Sequence, residues 1–443
     1  MPINKQERIR YTDRLKLFPD STTVQNDSLF IAGHGLASLA AEHGTPLYIY
    51  DRATLDTSTA EYQTALHNYY PAPAHITYAG KAFLCKAIAQ WIQAHDLFVD
   101  CTGEGEIAIA AAAGVKRERI LVHGVNKSSA DLQAAVKYAG TIVIDNLTEL
   151  SRISNLFPIL DSPFPNVWLR LLPGVAVHTH HIATQTGQHD SKFGMTREEI
   201  REAVKLCKAN GLPLTGIHFH QGSNFRDPEP LILAIELALD LAKEIGFTNT
   251  WHFCPGGGWG VAYHEDELPS PSIESYVHGI AEAVVEGCQQ RGLELPHLHL
   301  EPGRSLVARA GVVIYRVGAV KKRGEKTWLL VDGGMADNPR FALYGARYSC
   351  LTVTGVGLEG SGDVSIAGPY CESGDIIIEG LPMPEVHAGD LIAIPVAGAY
   401  HLSMSSNYNG ARRPAVLMLE EGRAKIIQRR ETVEDLLRRD SGV

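Results

Sequence analysis

The stretch HITYAGKAFLCKAIAQWIQAHDLFVDC, His75 to Cys101, decides how the chain is built. A short apolar run at His75–Ala79 is followed by a helical-period segment at Ala82–Ala94 and a second apolar run at Leu97–Cys101. Apolar runs of this length read as buried parallel strands, and parallel pairing requires a crossover such as the helix between them. The alternation then repeats. Strand-like runs stand at Ile120–His123, Thr141–Asp145, Val167–Leu172, Gly216–His220, Trp251–Cys254 and His297–Leu300. Helical segments lie at Gly105–Ala113, Ser129–Tyr138, Thr148–Phe157, Thr196–Asn210, Leu231–Ile245 and Ser272–Arg291. Thr196, ahead of Glu198 and Glu199, has the form of a capping box. Eight strands with intervening helices predict a (β/α)8 barrel.

After Gly303 the texture changes. Strand-like runs at Val312–Val320, Thr327–Val331, Leu391–Pro395, Val416–Leu419 and Ala424–Ile427 are punctuated by turns at Gly374-Asp375 and Gly389-Asp390. They predict an all-β domain, closed by a helix at Val433–Arg439 with Thr432 as its N-cap. Two domains also suit 443 residues, because single cores stop growing at about 250–300. Fifty acidic against forty basic residues, a net charge of −10, argue against a nucleic-acid or anionic-membrane surface. The N-terminus MPINKQERIRYTDRLK has no apolar signal region, and the longest aliphatic run, Ile107 to Val115, is far below the ~20 residues of a membrane span. Seven dispersed cysteines without a CxxC pair suit a reducing compartment. The expectation is a cytoplasmic protein with a small-molecule ligand.

Chemistry-bearing residues gather just after the predicted strands, where barrels of this class hold their active sites. Lys81 follows the first, Glu104 and Glu106 the second, and Gly124 to Lys127 the third. His220-Gln221-Gly222-Ser223 follows the sixth, Gly256-Gly257-Gly258 the seventh and Glu301-Pro302-Gly303-Arg304 the eighth. Read alone, GGGWG is as readily a tight turn as an anion cradle. On the loop after the seventh strand, beside Arg304, it reads as a phosphate site. Lys81 alone is a solvated rim lysine; beside a phosphate site it can form the Schiff base that pyridoxal phosphate requires. Glu301 would then face the pyridine nitrogen and keep it protonated.

Other positions stay open at this level. His218 and His220 share a strand face. Packing for the first and ring stacking for the second are preferred over a metal pair, which lacks a clear third ligand. His178, His180, His181 and His189 read as a solvated or substrate-covering loop, and no metal site is expected. Cys371 is either a buried hairpin cysteine or a proton donor, a free thiol with a pKa of about 8.5 being protonated at neutral pH. Arg340 and Tyr344, four apart, can grip a carboxylate from one helix face. Tyr408 sits among polar turn residues.

Taken together, these segments resemble the diaminopimelate decarboxylases, within the fold type III pyridoxal-phosphate family that also holds ornithine and arginine decarboxylases. The likeness runs through GTPLYIYD (Gly44–Asp51), YAGKA (Tyr78–Ala82), HTHHIATQTGQHDSKFGM (His178–Met195), HFHQGS (His218–Ser223), GGG (Gly256–Gly258) and EPGR (Glu301–Arg304). It continues through VDGGMADNPRFALYGARY (Val331–Tyr348), GPYCESGD (Gly368–Asp375) and GAYHLSMSSNYNGARRP (Gly398–Pro414). Departures from the common pattern are Gly103, Leu172 and Gln221.

The resemblance implies that Lys81 binds pyridoxal 5'-phosphate covalently and that His220 stacks on its ring. It further implies that Ser223, Gly257, Gly258, Glu301, Pro302, Gly303, Arg304 and Tyr408 hold the cofactor. Arg304, Arg340, Tyr344, Glu372 and Tyr408 are implied as substrate contacts and Cys371 as the proton donor. The implied assembly is a homodimer with shared active sites, the Cys371 loop coming from the other subunit. The implied domains are an N-terminal segment, 1–50, that joins the β-domain, a barrel at 51–306 and a C-terminal β-domain at 307–443. The implied reaction is decarboxylation of meso-2,6-diaminopimelate to L-lysine. Its rivals are ornithine, arginine or carboxynorspermidine decarboxylation and a catalytically inactive regulatory homologue.

Overall fold

The structure, a computed structural model, describes residues 11–156, 164–175, 186–247, 250–358 and 362–442. It falls into two compact units: Met1–Thr57 with Val261–Ser270 and Val307–Val443, and Ser58–Gly260 with Pro271–Leu306.

The second unit is a closed barrel of eight parallel strands: β1 (Ala74–Ala79), β2 (Phe98–Cys101), β3 (Ile120–Val122), β4 (Thr141–Ile144), β5 (Asn166–Arg170), β6 (Leu214–His218), β7 (His252–Cys254) and β8 (His297–Leu300). They pair in sequence order, and β8 closes on β1 through Leu298–Ala74 and Leu300–Ile76. The strands are short, apolar and almost wholly buried, since helices cover them outside and side chains fill the interior. Helix starts obey local chemistry. Ser128 and Thr196 each cap a helix and exchange hydrogen bonds with the acid three residues on, Asp131 and Glu199. Gly246 and Gly292, at φ +78° and +65°, end the helices Glu229–Ile245 and Ile273–Arg291 in the left-handed conformation that glycine adopts without strain.

In the first unit, the long strand Gly311–Arg323 pairs antiparallel with Leu47–Asp51, which in turn pairs parallel with Ala415–Glu420. The N-terminal segment therefore enters the same sheet as the C-terminal strands. Leu29, Ile31, Leu36, Leu47 and Ile49 share one core with Val312, Ile314, Val353, Leu417 and Leu419. Val261–Ser270, placed in the barrel by a sequence-based division at 306, groups with this unit. Arg14 explains why: it donates to Glu265 at 2.7 Å and to the Pro382 carbonyl at 2.8 Å.

Several elements escape the pattern reading, among them the N-terminal strands Thr22–Gln25, Ser28–Ile31 and Leu47–Asp51. Strands Gly362–Ala367 and Ile376–Met383 are masked by Gly362 and Asp363 in one and by Gly380 and Pro382 in the other. The helix Arg52–Tyr69 is rich in Thr and Ser and has no sharp apolar stripe. The closing helix is Val433–Leu437, capped by Thr432 as expected. Among the described residues, no helix is long and apolar enough to cross a membrane.

The amino ends of the barrel strands carry His75, His252, His297 and His299, packed with Phe98 and Trp168. His252 Nδ1 and His299 Nε2 lie 3.1 Å apart. Burial, reinforced by the neighbouring histidine His297, pushes His75 and His252 down from 6.5 to about 4. The unfolded chain therefore binds more protons between those values, so stability is full above pH 6.5 and falls as pH drops toward 4. Melting temperature is expected to decline across this window, and the His75→Gln/His252→Gln double variant to lose the share of that slope these two carry, the buried His218, His220 and His299 keeping theirs. A variant with the parental slope would assign the acid sensitivity elsewhere.

Candidate active site

The carboxyl ends of the barrel strands hold a ring of buried charge. Glu301, directly after β8, lies 3.1 Å from His218 Nε2 at the end of β6 and 3.0 Å from His123 Nε2 just after β3. His123 is also 3.5 Å from Asp100 on β2. Arg170, the last residue of β5, pairs with Asp145 at 3.3 Å and lies over the Phe193 ring. Burial pushes His218 down to about 3, so its imidazole is neutral and donates Nε2–H to Glu301 Oε2. Burial alone would raise the Glu301 carboxyl; the flanking imidazoles outweigh it and hold the group well below the usual carboxylate range. Oε1 of Glu301 has no aligned hydrogen-bond donor. His123, His218 and Glu301 are also the one group among the described residues whose donor atoms are close enough to hold a metal. The 3.1 Å contact of His218 with Glu301 is a hydrogen bond, so one carboxylate oxygen is already engaged by an imidazole N–H.

Lys81 sits in the turn Gly80–Ala82 immediately after β1, with its side chain exposed. His220 stands two residues past β6, and its Nδ1 accepts the Gly257 N–H at 3.3 Å. Burial, and then the Lys81 and Arg170 cations, hold its pKa well below the ordinary range. Arg304 donates to Ser223 Oγ at 3.0 Å. The three glycines after β7 are demanded by close approach. A Cβ on Gly257 would stand 1.8 Å from the Glu301 carbonyl oxygen, and one on Gly258, at φ +106°, 2.2 Å from that of Gly222.

Not every rim residue belongs to this set. Lys127 is buried and spent on structure, donating to Glu149 at 2.7 Å and to the Gly124 and Val143 carbonyls. Glu106 accepts the Thr102 N–H at 2.6 Å and fixes the start of its own helix. His178, His180 and His181 lie outside the described residues, and His189 is exposed. Conversely, the polar residues at the ends of apolar strands, Asp100, His123, Asp145 and Arg170, escape a search confined to the loops. Their signal is a charge closing a run such as FVDC or VWLR.

The first unit carries its own cluster. Arg340 opens the short helix Arg340–Tyr344, is 2% exposed, and lies over the Tyr263 ring at 4.3 Å. Among the described residues no carboxylate pairs with it. Cys371 is the exposed cysteine of the seven, the other six being buried, and its N–H donates to Asn409 Oδ1 at 2.9 Å. Glu372 and Tyr408 are exposed, and the Tyr408 ring meets Tyr370 edge-on. The Cys371–Glu372 loop is anchored by Asp375, whose buried carboxylate accepts the Met335 and Tyr370 N–H groups at 2.7 and 2.9 Å.

Comparison with known proteins decides the family. Residues 54–308 match the pyridoxal-binding domain of the pyridoxal-dependent decarboxylases. The chain is 38% identical to the diaminopimelate decarboxylase of Bacillus subtilis (strain 168), covering 96% of this chain and 98% of that one. It is 37% identical to the diaminopimelate decarboxylase of Actinosynnema pretiosum subsp. auranticum, over 96% and 95% of the two chains. The chain belongs to the diaminopimelate decarboxylase family. A crystal structure of the M. jannaschii diaminopimelate decarboxylase in co-complex with L-lysine superposes with a TM-score of 0.88 at 28% identity, covering 96% of this chain and 98% of that one.

The cofactor of this family is pyridoxal phosphate, and the barrel rim fits it. A carboxylate oxygen without an aligned donor, a glycine cradle with no room for a Cβ, an arginine–serine pair and an exposed amine all stand at one end of one barrel. Gly257→Ala is expected to abolish cofactor retention, because its Cβ meets backbone that cannot swing aside. Titration of the purified variant with pyridoxal phosphate checks this; unaltered affinity would detach the cradle from the phosphate.

Proposed function

We propose that the protein decarboxylates meso-2,6-diaminopimelate to L-lysine and carbon dioxide. The observation that carries this reading is the Glu301 carboxylate, kept ionised inside the barrel mouth by two imidazoles. A carboxylate holds a proton on a pyridine nitrogen, as carbanion chemistry requires. Pyridoxal phosphate, when bound, provides a sink for the electron pair left on Cα as carbon dioxide departs.

The chain's own residues would do the rest. The Lys81 amine would hold the cofactor and exchange places with the substrate amine. The His220 ring would flank the cofactor ring, while Ser223, Gly257, Gly258, Gly303 and Arg304 take its phosphate. The Cys371 Sγ–H would deliver the proton to Cα. Arg340, buried without a carboxylate partner among the described residues, would take a substrate carboxylate, because a desolvated guanidinium gains most from a bidentate anion. Arg304, Tyr344 and Tyr408 would complete that grip, with Tyr408 also against the cofactor, and Glu372 would hold the distal ammonium. Diaminopimelate carries a second amino-acid centre and so needs both charges, whereas a bare distal amine needs only the carboxylate. In this reading the enzyme is a homodimer in the cytoplasm, and the Cys371 loop of one copy serves the barrel of the other.

The test is carbon dioxide release by the holoenzyme from meso-diaminopimelate, ornithine, arginine, lysine and carboxynorspermidine. Release from diaminopimelate, with an equal amount of L-lysine, is expected. Release from another substrate alone would overturn the distal-pocket assignment, and silence from all five would favour a regulatory homologue.

A further inference from the structure

Behind Arg340 a line of buried polar groups runs through the first unit. Arg340 Nη1 donates to Tyr348 Oη at 2.5 Å, and Tyr348 Oη lies 2.7 Å from His401 Nε2. His401 Nδ1 lies 3.2 Å from Tyr48 Oη, which donates to Asp337 Oδ2 at 3.1 Å. Tyr315 donates to the same oxygen at 2.5 Å. Tyr348, His401, Tyr48, Tyr315 and Asp337 are all buried.

One His401 tautomer lets every ring between Arg340 and Asp337 both accept and donate. Arginine has only donors, so Tyr348 accepts from it, and in the tautomer that carries Nδ1–H on His401 the Tyr348 O–H is passed onward. His401 then accepts at Nε2 and, as a neutral imidazole, donates from Nδ1 to Tyr48. Tyr48 passes its O–H to the Asp337 carboxylate, which ends the series. Burial and the Asp337 charge push Tyr48 and Tyr315 well above the usual tyrosine range, so both remain donors. Tyr400, immediately before His401, sits at φ +61°, a left-handed conformation that a non-glycine residue keeps only where its surroundings hold it. Asp337 lies only three residues before Arg340, yet the two are joined through three rings and not as an ion pair. That leaves the guanidinium free of carboxylate among the described residues while its orientation is fixed.

We propose that His401, acting through Tyr348, is a positioning residue that aims the Arg340 guanidinium at a carboxylate of the substrate. The inference rests on the reading of Arg340 as a carboxylate contact, and the controls separate the two. In the holoenzyme, His401→Phe removes both ring nitrogens. KM for meso-diaminopimelate is expected to rise about ten-fold, the scale of a charge-assisted hydrogen bond, with kcat within about two-fold. His401→Gln restores one acceptor and one donor, and is expected to recover most of the loss; a residue that merely fills space would not distinguish Gln from Phe. Tyr348→Phe deletes a single oxygen and is expected to raise KM similarly, which keeps the test intact if His401→Phe fails to fold. Unchanged KM in Tyr348→Phe, or a fall in kcat at constant KM, would overturn the proposal. Arg340→Lys is the control: if it leaves KM unchanged, the reading of Arg340 itself fails, and the proposal with it. If it raises KM while Tyr348→Phe does not, only the positioning role is overturned.

Discussion

Lys81→Ala is expected to lower kcat/KM for decarboxylation by at least ~10³-fold, a loss of about 4 kcal/mol of transition-state stabilisation. The side chain is exposed on a tight turn after the first barrel strand, so its removal takes away an amine and almost no packing. Melting temperature should therefore stay close to the parental value while carbon dioxide release disappears. Near-normal turnover would remove Lys81 from the chemistry, since no change in fold could be blamed. Its position argues for function in another way: a lysine directly after an apolar strand at the barrel mouth serves no salt bridge among the described residues.

Glu301→Gln is expected to cost about 10²- to 10³-fold in kcat, with the cofactor still bound. The amide keeps the oxygen that accepts from His218 Nε2, so the local hydrogen bond survives while the negative charge is lost. What disappears is the ability to hold a proton at a ring nitrogen. Glu301→Ala should add a stability loss of about 1–3 kcal/mol, because His218 would be left with a buried, unmatched N–H. Steady-state kinetics and thermal melts on both variants separate the two effects. A Gln variant of parental activity would place the catalytic charge elsewhere on the rim.

The barrel is legible because each strand is a short apolar run followed by a helix, some of them with a start signal of their own, as at Ser128 and Thr196. Strands Gly362–Ala367 and Ile376–Met383 of the first unit are not, since Gly362 and Asp363 in one and Gly380 and Pro382 in the other interrupt the pattern on which strand recognition depends. In the candidate site, the residues that stand out against their neighbours in sequence are Lys81 after YAG, the triple glycine and Glu301 before Pro302. Lys127 is equivalent to these in sequence but is buried against Glu149, because a rim position does not reveal which way a side chain turns. His123 and Arg170 were hidden for the opposite reason. Each closes an apolar strand, and only barrel closure brings β3, β5, β6 and β8 to a common centre. The line from Arg340 to Asp337 is likewise invisible in sequence. Its link Tyr48 lies nearly three hundred residues from Asp337 and joins the others only when Leu47–Asp51 enters the sheet beside Gly311–Arg323.

The most direct measurement is to reduce the purified protein with borohydride in the presence of pyridoxal phosphate and map the modified peptide by mass spectrometry. A pyridoxyl adduct on Lys81, lost in Lys81→Ala together with turnover, is the expected result. An adduct on another lysine that supports turnover, with Lys81 unmodified, would contradict the assignment of the barrel mouth as the catalytic site.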